Sequence, residues 1–252
     1  MKNILNRRKF LQYSGIAGSA ALLTGKAFAK PYRPEKEHEI GLSKWELETP
    51  SLCLDLDIME ENLKKVHINL QGTGIGVRPH TKTHKCPALA KLQMEAGAVG
   101  VCTAKLAESQ VMLENGISEV LMTGVNIGKG KIRKAMQLRK AHKGFIQAVD
   151  NKQNAQDLQD AAKEAGVVAD VVVDLDVIRR SGVPTGLPAL ELAQLVDQLP
   201  NLSFKGILAY DGGAQHIKGF QKRKERTIQT FGPVSETYAM MKKSGLNMEI
   251  FS

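Results

Sequence analysis

Short apolar runs alternate with longer stretches of helical pattern along most of this chain. The runs are rich in valine and isoleucine and predict β-strands, whereas apolar residues that recur every three or four positions predict α-helices. The predicted strands are Ser51–Asp57, Ile75–Thr83, Ala98–Ala104, Glu119–Gly124, Gly144–Asp150, Ala169–Asp176, Ser203–Asp211 and Asn247–Ser252. The predicted helices include Met59–Leu70, Pro87–Ala96, Leu106–Asn115, Asn151–Ala165, Pro188–Gln198 and Gly219–Lys243. This alternation is typical of βα units around a parallel sheet.

Some of the predicted strands are apolar without interruption by alternating polar residues. The stretch from Val167 to Val173 contains one polar residue, Asp170, which indicates a strand that is covered on both faces. Barrels and doubly wound sheets both contain such strands, and both place function at the carboxyl ends of the strands. The glycine-rich stretch Gly72–Gly76 precedes a predicted strand instead of following one, so it does not predict dinucleotide binding.

The first 29 residues have the pattern of an export signal. Arg7 and Arg8 resemble a twin-arginine motif, Ser14 to Leu23 is apolar and rich in glycine and alanine, and Ala27 to Ala29 forms an A-x-A cleavage site. A membrane anchor is the alternative, but a spanning helix needs about 20 apolar residues and this stretch has roughly half of that. We therefore predict a cleaved twin-arginine signal peptide over residues 1–29, a periplasmic location and no stable membrane insertion. Residues 30–48 are charged and contain proline, so they are predicted to be an extended lead-in to the domain.

The charge of the chain argues against a nucleic-acid partner. The 252 residues carry a formal net charge of +9, from 35 basic and 26 acidic residues. Five of the basic residues lie in residues 1–29, so 30 remain against 26 and the net charge falls to +4. No arginine-rich stretch interleaved with aromatic residues remains. The basic cluster Lys218 to Arg226 is predicted to be a solvated helix face.

The predicted second strand carries the most informative residues. Side chains alternate in extended backbone, so four nitrogen-bearing residues are predicted to share one face. These residues are Arg78, His80, Lys82 and His84. A lysine that attacks an aldehyde must lose its proton, and neighbouring cations such as Arg78 and Lys85 favour the neutral form of Lys82. The pattern by itself also fits a solvated basic strand end.

These residues carry a family resemblance. Arg78–Lys85 resembles the R-P-H-x-K-T-H-K segment of the D-threonine aldolase and D-serine dehydratase family, whose pyridoxal 5'-phosphate (PLP) lysine matches Lys82. Glu48–Leu52 resembles the opening E-T-P of that family, and Glu95–Cys102 resembles the stretch before its next strand. The resemblance implies a TIM-like (β/α)8 barrel of the alanine racemase N-terminal type over residues 49–252, with PLP as cofactor.

The same resemblance implies further cofactor-binding residues. Arg180 matches the arginine of an R-C-G-V motif that contacts the cofactor near its phenolic oxygen, although an ordinary loop arginine is the alternative. Tyr210–His216 resembles the family's A-Y-D-G-H-x-Q-H, in which the tyrosine matched by Tyr210 helps to hold the cofactor, through its phosphate. Gly213 stands where the family has histidine. His80 is also predicted to contact the cofactor.

The implied function is that of a PLP-dependent lyase on small D-configured β-hydroxy amino acids. Retro-aldol cleavage would release glycine and an aldehyde, whereas loss of the hydroxyl would give dehydration and deamination. Two alternatives remain at this point, a non-catalytic PLP-binding or homeostasis protein and an amino-acid racemase. The resemblance also implies a homodimer for a full-length protein.

The sequence is shorter than members of the family that it resembles. In the family a glycine-rich phosphate loop and a β-rich second domain with divalent-metal ligands follow the barrel, whereas this sequence stops at Ser252. Ser51–Asp57 belongs, by the same resemblance, to the sheet of the second domain, so the barrel is expected to have seven of its eight strands. We therefore expect a barrel that is incomplete at its C-terminus, no metal site in these residues, and a chain that is inactive by itself.

Overall fold

The computed structural model describes residues 42–252 of the chain. The predicted signal peptide and residues 30–41 lie outside the described residues. Residues 42–55 and Leu56–Ser252 belong to separate units. Residues 42–55 contain turns and no strand, so the predicted strand Ser51–Asp57 is wrong, and its last two residues begin a helix instead. Leu52 and Leu54 alternate as in a strand, but they are exposed, and alternation alone provides no partner for the backbone groups of a strand.

Seven α-helices are described in the second unit. They are α1 (Leu56–Leu70), α2 (Pro87–Glu95), α3 (Leu106–Glu114), α4 (Lys129–Ala141), α5 (Lys152–Ala165), α6 (Leu187–Gln198) and α7 (Phe220–Lys243). Helix α5 begins where the Asn151 side chain accepts a hydrogen bond from the Asn154 amide, and it ends at Gly166 in the left-handed conformation. Helix α4 is additional to the predicted helices. Its many basic residues make the apolar stripe difficult to recognise in the sequence. None of the helices in residues 42–252 has the length and apolar character needed to cross a bilayer.

The strands form one parallel sheet. They are β1 (Val101–Thr103), β2 (Val120–Met122), β3 (Phe145–Val149), β4 (Ala169–Asp176), β5 (Val183–Pro184), β6 (Leu202–Ala209) and β7 (Ile250–Phe251). Their order is β1-β2-β3-β4-β6-β7, and the short β5 pairs with the end of β4. Gly206 lets β7 lie close to β6, because a Cβ there would overlap the carbonyl of Ile250.

Two apolar clusters lie on the two faces of this sheet. The larger cluster joins the sheet to its helices and includes Val171 and Val173 from β4. The smaller cluster is made of the alternate residues, with Val172 from the same strand and Leu121 and Ile146 from its neighbours. Parallel strands in sequential order, with helices outside and a filled interior, form an incomplete TIM barrel of the alanine racemase N-terminal type. The predicted fold class is confirmed.

Candidate active site

A cavity of about 500 Å³ lies at the carboxyl ends of the strands. Its charged side chains, its imidazole and its phenol ring come from five different segments of the chain. They are Arg78, His80, Lys82, Asp150, Asp174, Arg180 and Tyr210. All four residues predicted to bind PLP therefore line one cavity, at the edge of the sheet where function is expected in a barrel.

The segment that carries Lys82 runs beside β1. The amide of Val99 donates to the carbonyl of Val77 (2.9 Å), that of Cys102 to Pro79 (2.8 Å), and that of Thr81 back to Cys102 (2.8 Å). Pro79 has no N–H to donate, so the pairing is incomplete and the segment forms a single parallel bridge at His80. The segment occupies the position of the first barrel strand, as predicted, but it ends before Lys82.

A turn directly follows this segment and separates the four nitrogen-bearing residues that were predicted to share one face. The amide of Lys85 donates to the carbonyl of Thr81 (2.7 Å), which breaks the alternation of side chains. Arg78, His80 and Lys82 line the cavity, but His84 does not, and its Nδ1 accepts from the Cys86 amide instead (3.0 Å). The prediction that four side chains share one face is therefore right for three residues and wrong for His84.

Lys85 is paired with an acidic residue outside the cavity lining. Its Nζ lies 3.4 Å from Oε1 of Glu108, whose Oε2 accepts from the Ala104 amide (2.9 Å). Burial by itself would raise the pKa of Glu108, but the Ala104 amide and Lys85 together hold this pKa below its ordinary value. Because the negative charge of Glu108 compensates the positive charge of Lys85, the predicted repulsion between Lys85 and Lys82 is weakened.

The surroundings of His80 favour its neutral form, and hydrogen bonds define the orientation of its ring. Its pKa is lowered by burial and by the charge of Lys82, while Glu108 and the backbone of Cys102 oppose that change. Its Nδ1 accepts from the amide of Lys82 (3.2 Å), so the proton of the neutral ring is on Nε2. Nε2 lies 3.3 Å from Oγ1 of Thr123. The ring therefore contacts both the backbone of Lys82 and the wall of the cavity.

The Tyr210 ring lies close to two cations. Nζ of Lys82 is 5.5 Å from the centre of the ring, and Cζ of Arg180 is 5.4 Å from it. The next residue, Asp211, accepts hydrogen bonds from Nε of Arg226 (3.0 Å), Oγ1 of Thr230 (3.2 Å) and the Gly213 amide (2.8 Å). These bonds anchor the end of β6 to α7 and thereby fix the backbone from which Tyr210 projects.

Arg180 lies in a tight loop between β4 and β5. Asp176 accepts from the amides of Ile178 and Arg180 through Oδ1, both at 3.2 Å, and Arg179 has a φ of 58°. Both Arg179 and Arg180 are exposed, but only Arg180 lines the cavity.

Asp174 also lines the cavity, although it was not among the predicted site residues. Burial raises its pKa to about 6, and the neighbouring carboxylates Asp150 and Asp176 act in the same direction, while the Ser181 side chain and Arg180 oppose them. A sequence signal existed, because two-residue alternation from the inward-facing Val172 places Asp174 inside the barrel.

Gln215 and His216 are exposed in a short 3₁₀ helix and do not line the cavity. Across residues 42–252, no group of three or more His, Cys, Asp or Glu side chains is arranged to hold a metal ion.

The chain belongs to the family described as alanine racemase, N-terminal domain, whose model matches residues 54–252. It is similar to 3-hydroxy-D-aspartate aldolase of Paracoccus denitrificans (strain Pd 1222), with 35% identity over 84% of this chain and 55% of the relative. It is similar to D-threonine aldolase of an Arthrobacter species, with 32% identity over 90% of this chain and 59% of the relative. The crystal structure of D-threonine aldolase from Filomicrobium marinum superposes with a TM-score of 0.77 at 37% identity, over 80% of this chain and 55% of that one.

The chain spans between half and three fifths of the length of these relatives. The family supports the predicted PLP-dependent class.

Proposed function

We propose that this chain contains the PLP-binding barrel of a lyase that acts on small D-configured β-hydroxy amino acids. We further propose that the lyase cleaves these substrates by a retro-aldol reaction. The observation that carries the proposal is the convergence of Lys82, Arg180 and Tyr210 on one cavity at the carboxyl ends of the strands. The aldolase activities named for the relatives support the direction of the reaction.

The side chains of the cavity fit PLP. The volume of about 500 Å³ lies within the usual range for a small-molecule site, roughly 300–1,000 Å³. Lys82 would supply the amine for the aldehyde of the cofactor, Arg180 a guanidinium for the phenolic oxygen, and Tyr210 a hydroxyl for the phosphate. Arg78 adds a third cation, and its buried Nη1 has no hydrogen-bond partner in the described part of the chain. A cation-rich cavity of this kind suits an anionic ligand.

The bound cofactor would supply an electron sink for the carbon–carbon bond cleavage. Lys82 would hold the cofactor through Nζ, and the same atom would hold or move a proton whenever it is not bonded to the cofactor. His80 Nδ1 accepts a hydrogen bond from the Lys82 amide and thereby holds the backbone of that residue at the cavity. The Tyr210 ring lies within cation–π distance of both Lys82 and Arg180, so it helps to orient the two cations toward the cavity.

Chemical labelling tests the assignment of Lys82. Protein incubated with PLP and then reduced with borohydride should carry the cofactor on the peptide that contains Lys82. Lys82→Ala should abolish the label, while Lys91→Ala, at an exposed position of α2, should retain it. A label on another lysine would refute the assignment.

Product analysis separates the proposed reaction from its alternatives. With the barrel completed by a second domain of the family, D-threonine should give glycine and acetaldehyde. Ammonia and a keto acid would indicate a dehydratase, and an amino acid of inverted configuration would indicate a racemase. PLP bound at Lys82 without any product would indicate a non-catalytic PLP-binding protein.

We also propose export by the twin-arginine route through residues 1–29. The support is the order of Arg7 and Arg8, the apolar stretch and the small-residue cleavage site. A reporter fused to these residues should be exported in folded form, and replacement of both arginines by lysine should stop its export. Export that persists after this replacement would contradict the proposal.

A further inference from the structure

The loop between β2 and α4 forms part of the cavity wall and contacts the residue that holds Lys82. Residues 123–125 of this loop line the cavity. The hydroxyl of Thr123 donates to the carbonyl of Thr103 (3.1 Å), so its oxygen accepts the proton on Nε2 of His80 (3.3 Å). The position of the loop therefore decides whether the His80 ring has its second hydrogen bond.

Three buried polar side chains, which we call the amide network, hold this loop from outside the cavity lining. Nδ2 of Asn126 donates to Oε1 of Gln147 (3.0 Å), and the carbonyl of Asn126 accepts from Nδ2 of Asn154 (2.8 Å). The three residues are 5%, 1% and 4% exposed, in that order, and none of them lines the cavity. Burying an amide side chain is unfavourable unless hydrogen bonds compensate it, so these bonds restrict the loop to one position.

The amide network is also connected to a second residue of the cavity. The amide of Asn154 donates to Oδ1 of Asn151 (2.8 Å), and Nδ2 of Asn151 donates to Oδ1 of Asp150 (2.7 Å). Asp150 directly follows β3 and lines the cavity. Hydrogen bonds thus join the segments that follow the adjacent strands β2 and β3, and they do so behind the cavity wall.

We propose that the amide network positions Thr123, and through it His80 and Lys82, before the cofactor binds. A binding group that is fixed in advance loses less entropy on binding, so the network raises affinity without contacting the ligand. This role rests on the proposed function for the identity of the ligand, whereas the position of His80 is a property of the protein without ligand.

Two matched substitutions of buried glutamines test this role. Gln147→Met removes the acceptor for Asn126 with little change of volume. Gln159→Met is the control at the amino end of the strands, where Gln159 pairs with Asn201 through two hydrogen bonds (3.0 and 2.8 Å). Both variants should be less stable to denaturant than wild type, but only Gln147→Met should weaken PLP binding, by about three- to tenfold. Wild-type affinity in Gln147→Met, or an equal loss in both variants, would overturn the proposal.

A double-mutant cycle tests whether the network acts through Thr123. Thr123→Val removes the hydroxyl that contacts His80 and should itself weaken PLP binding. In this background, Gln147→Met should cause no further loss of affinity. Fold changes that multiply in the double variant would show that the network does not act through Thr123.

A measurement without PLP completes the experiment. The ring signals of His80 in NMR spectra should shift in Gln147→Met but not in Gln159→Met, and unshifted signals in Gln147→Met would overturn the proposal. Asn154→Ala breaks the network at another bond and serves if Gln147→Met does not fold. Oδ1 of Asn154 is buried without a partner in residues 42–252, so this substitution removes an unpaired atom together with the hydrogen bond. Wild-type protein that binds no PLP would refute the proposed function, and the His80 signals would still decide the role of the network.

Discussion

Largely buried charged side chains lie at both ends of the barrel strands, and the two ends differ in how completely these charges are paired. At the amino end, Arg139 forms an ion pair with Asp170 at 2.9 Å and also donates to the carbonyls of Val168 (2.9 Å) and Phe145 (3.3 Å). At the carboxyl end, Nη1 of Arg78 is buried without a partner in residues 42–252, and the pKa of Asp174 is raised to about 6.

This difference separates charges that support the fold from charges that serve a ligand. A fully paired buried charge is costly to disrupt, because removing one partner leaves the other uncompensated. Groups in a cleft that have a shifted pKa or no hydrogen-bond partner lower stability. Such groups are retained where a bound ligand supplies the missing interaction. Substitutions at the two ends are therefore expected to have opposite effects on stability and different effects on cofactor binding.

The largest effect is expected at the amino end. Arg139→Met should lower the free energy of unfolding by about 2–4 kcal/mol, since Asp170 is left largely buried without its partner. Denaturant unfolding measures this change, and Arg133→Met, an exposed arginine of the same helix, should stay within about 0.5 kcal/mol of wild type. A loss at Arg139 no larger than at Arg133 would contradict the proposed division between the two ends.

At the carboxyl end, the larger effect is expected on binding. Arg180→Ala should weaken PLP binding by about 1.5–3 kcal/mol, the value of a charge-assisted hydrogen bond to an ionised oxygen. Arg179→Ala is the control, because the adjacent side chain does not line the cavity. Equal PLP titration curves for wild type and Arg180→Ala would place this arginine outside the binding site.

Asp174→Asn should increase stability at neutral pH. The folded-state pKa of Asp174, about 6, lies above its ordinary value, so the folded protein loses stability as pH rises from about 4 to 6 and this carboxyl ionises. The variant should gain about 1–3 kcal/mol over wild type at pH 8 and close to nothing at pH 4. Unfolding measured at both pH values checks this, and a destabilised variant at pH 8 would show that the carboxylate supports the fold.

The smallest effect is expected at Asp211, which lies at the carboxyl end but is paired. Burial alone would raise its pKa, but Arg226, the Gly213 amide and Thr230 lower the pKa below its ordinary value. This contribution to stability is present above the ordinary pKa and is lost as pH falls through the folded-state value. Asp211→Asn should lower the free energy of unfolding by about 1 kcal/mol at pH 7 and by less at pH 3. The exposed Asp197→Asn is the control for this measurement.

Much of the fold could be predicted from local patterns. The helix prediction Asn151–Ala165 agrees with α5 to within one residue, because its capping asparagine and its apolar stripe are both local in sequence. The strand prediction Ala169–Asp176 agrees with β4, since a strand buried on both faces is a nearly continuous apolar run. Ser51–Asp57 had a strand-like pattern as well, but no strand in residues 42–252 pairs with it. A local pattern does not show whether a partner strand is present.

The candidate site was predicted in part, with Lys82, Arg180 and Tyr210 found through the resemblance. The position of His84 was not predictable from alternation, since the turn at Thr81 depends on a backbone hydrogen bond to Lys85. The raised pKa of Asp174 was also hidden, because it results from burial by neighbouring strands.

The sequence by itself therefore determined the order of most helices and strands, the faces of the buried strands and the choice of Lys82 as the candidate lysine, since each is encoded in contiguous residues. The tertiary structure alone decided which charges meet. Arg139 and Asp170 pair across 31 positions of sequence, and Tyr210 lies near both Lys82 and Arg180 only because the parallel strands end at the same edge. Burial and electrostatic interaction depend on distance in space, so the chemistry of the cavity arises only when the barrel brings these segments together.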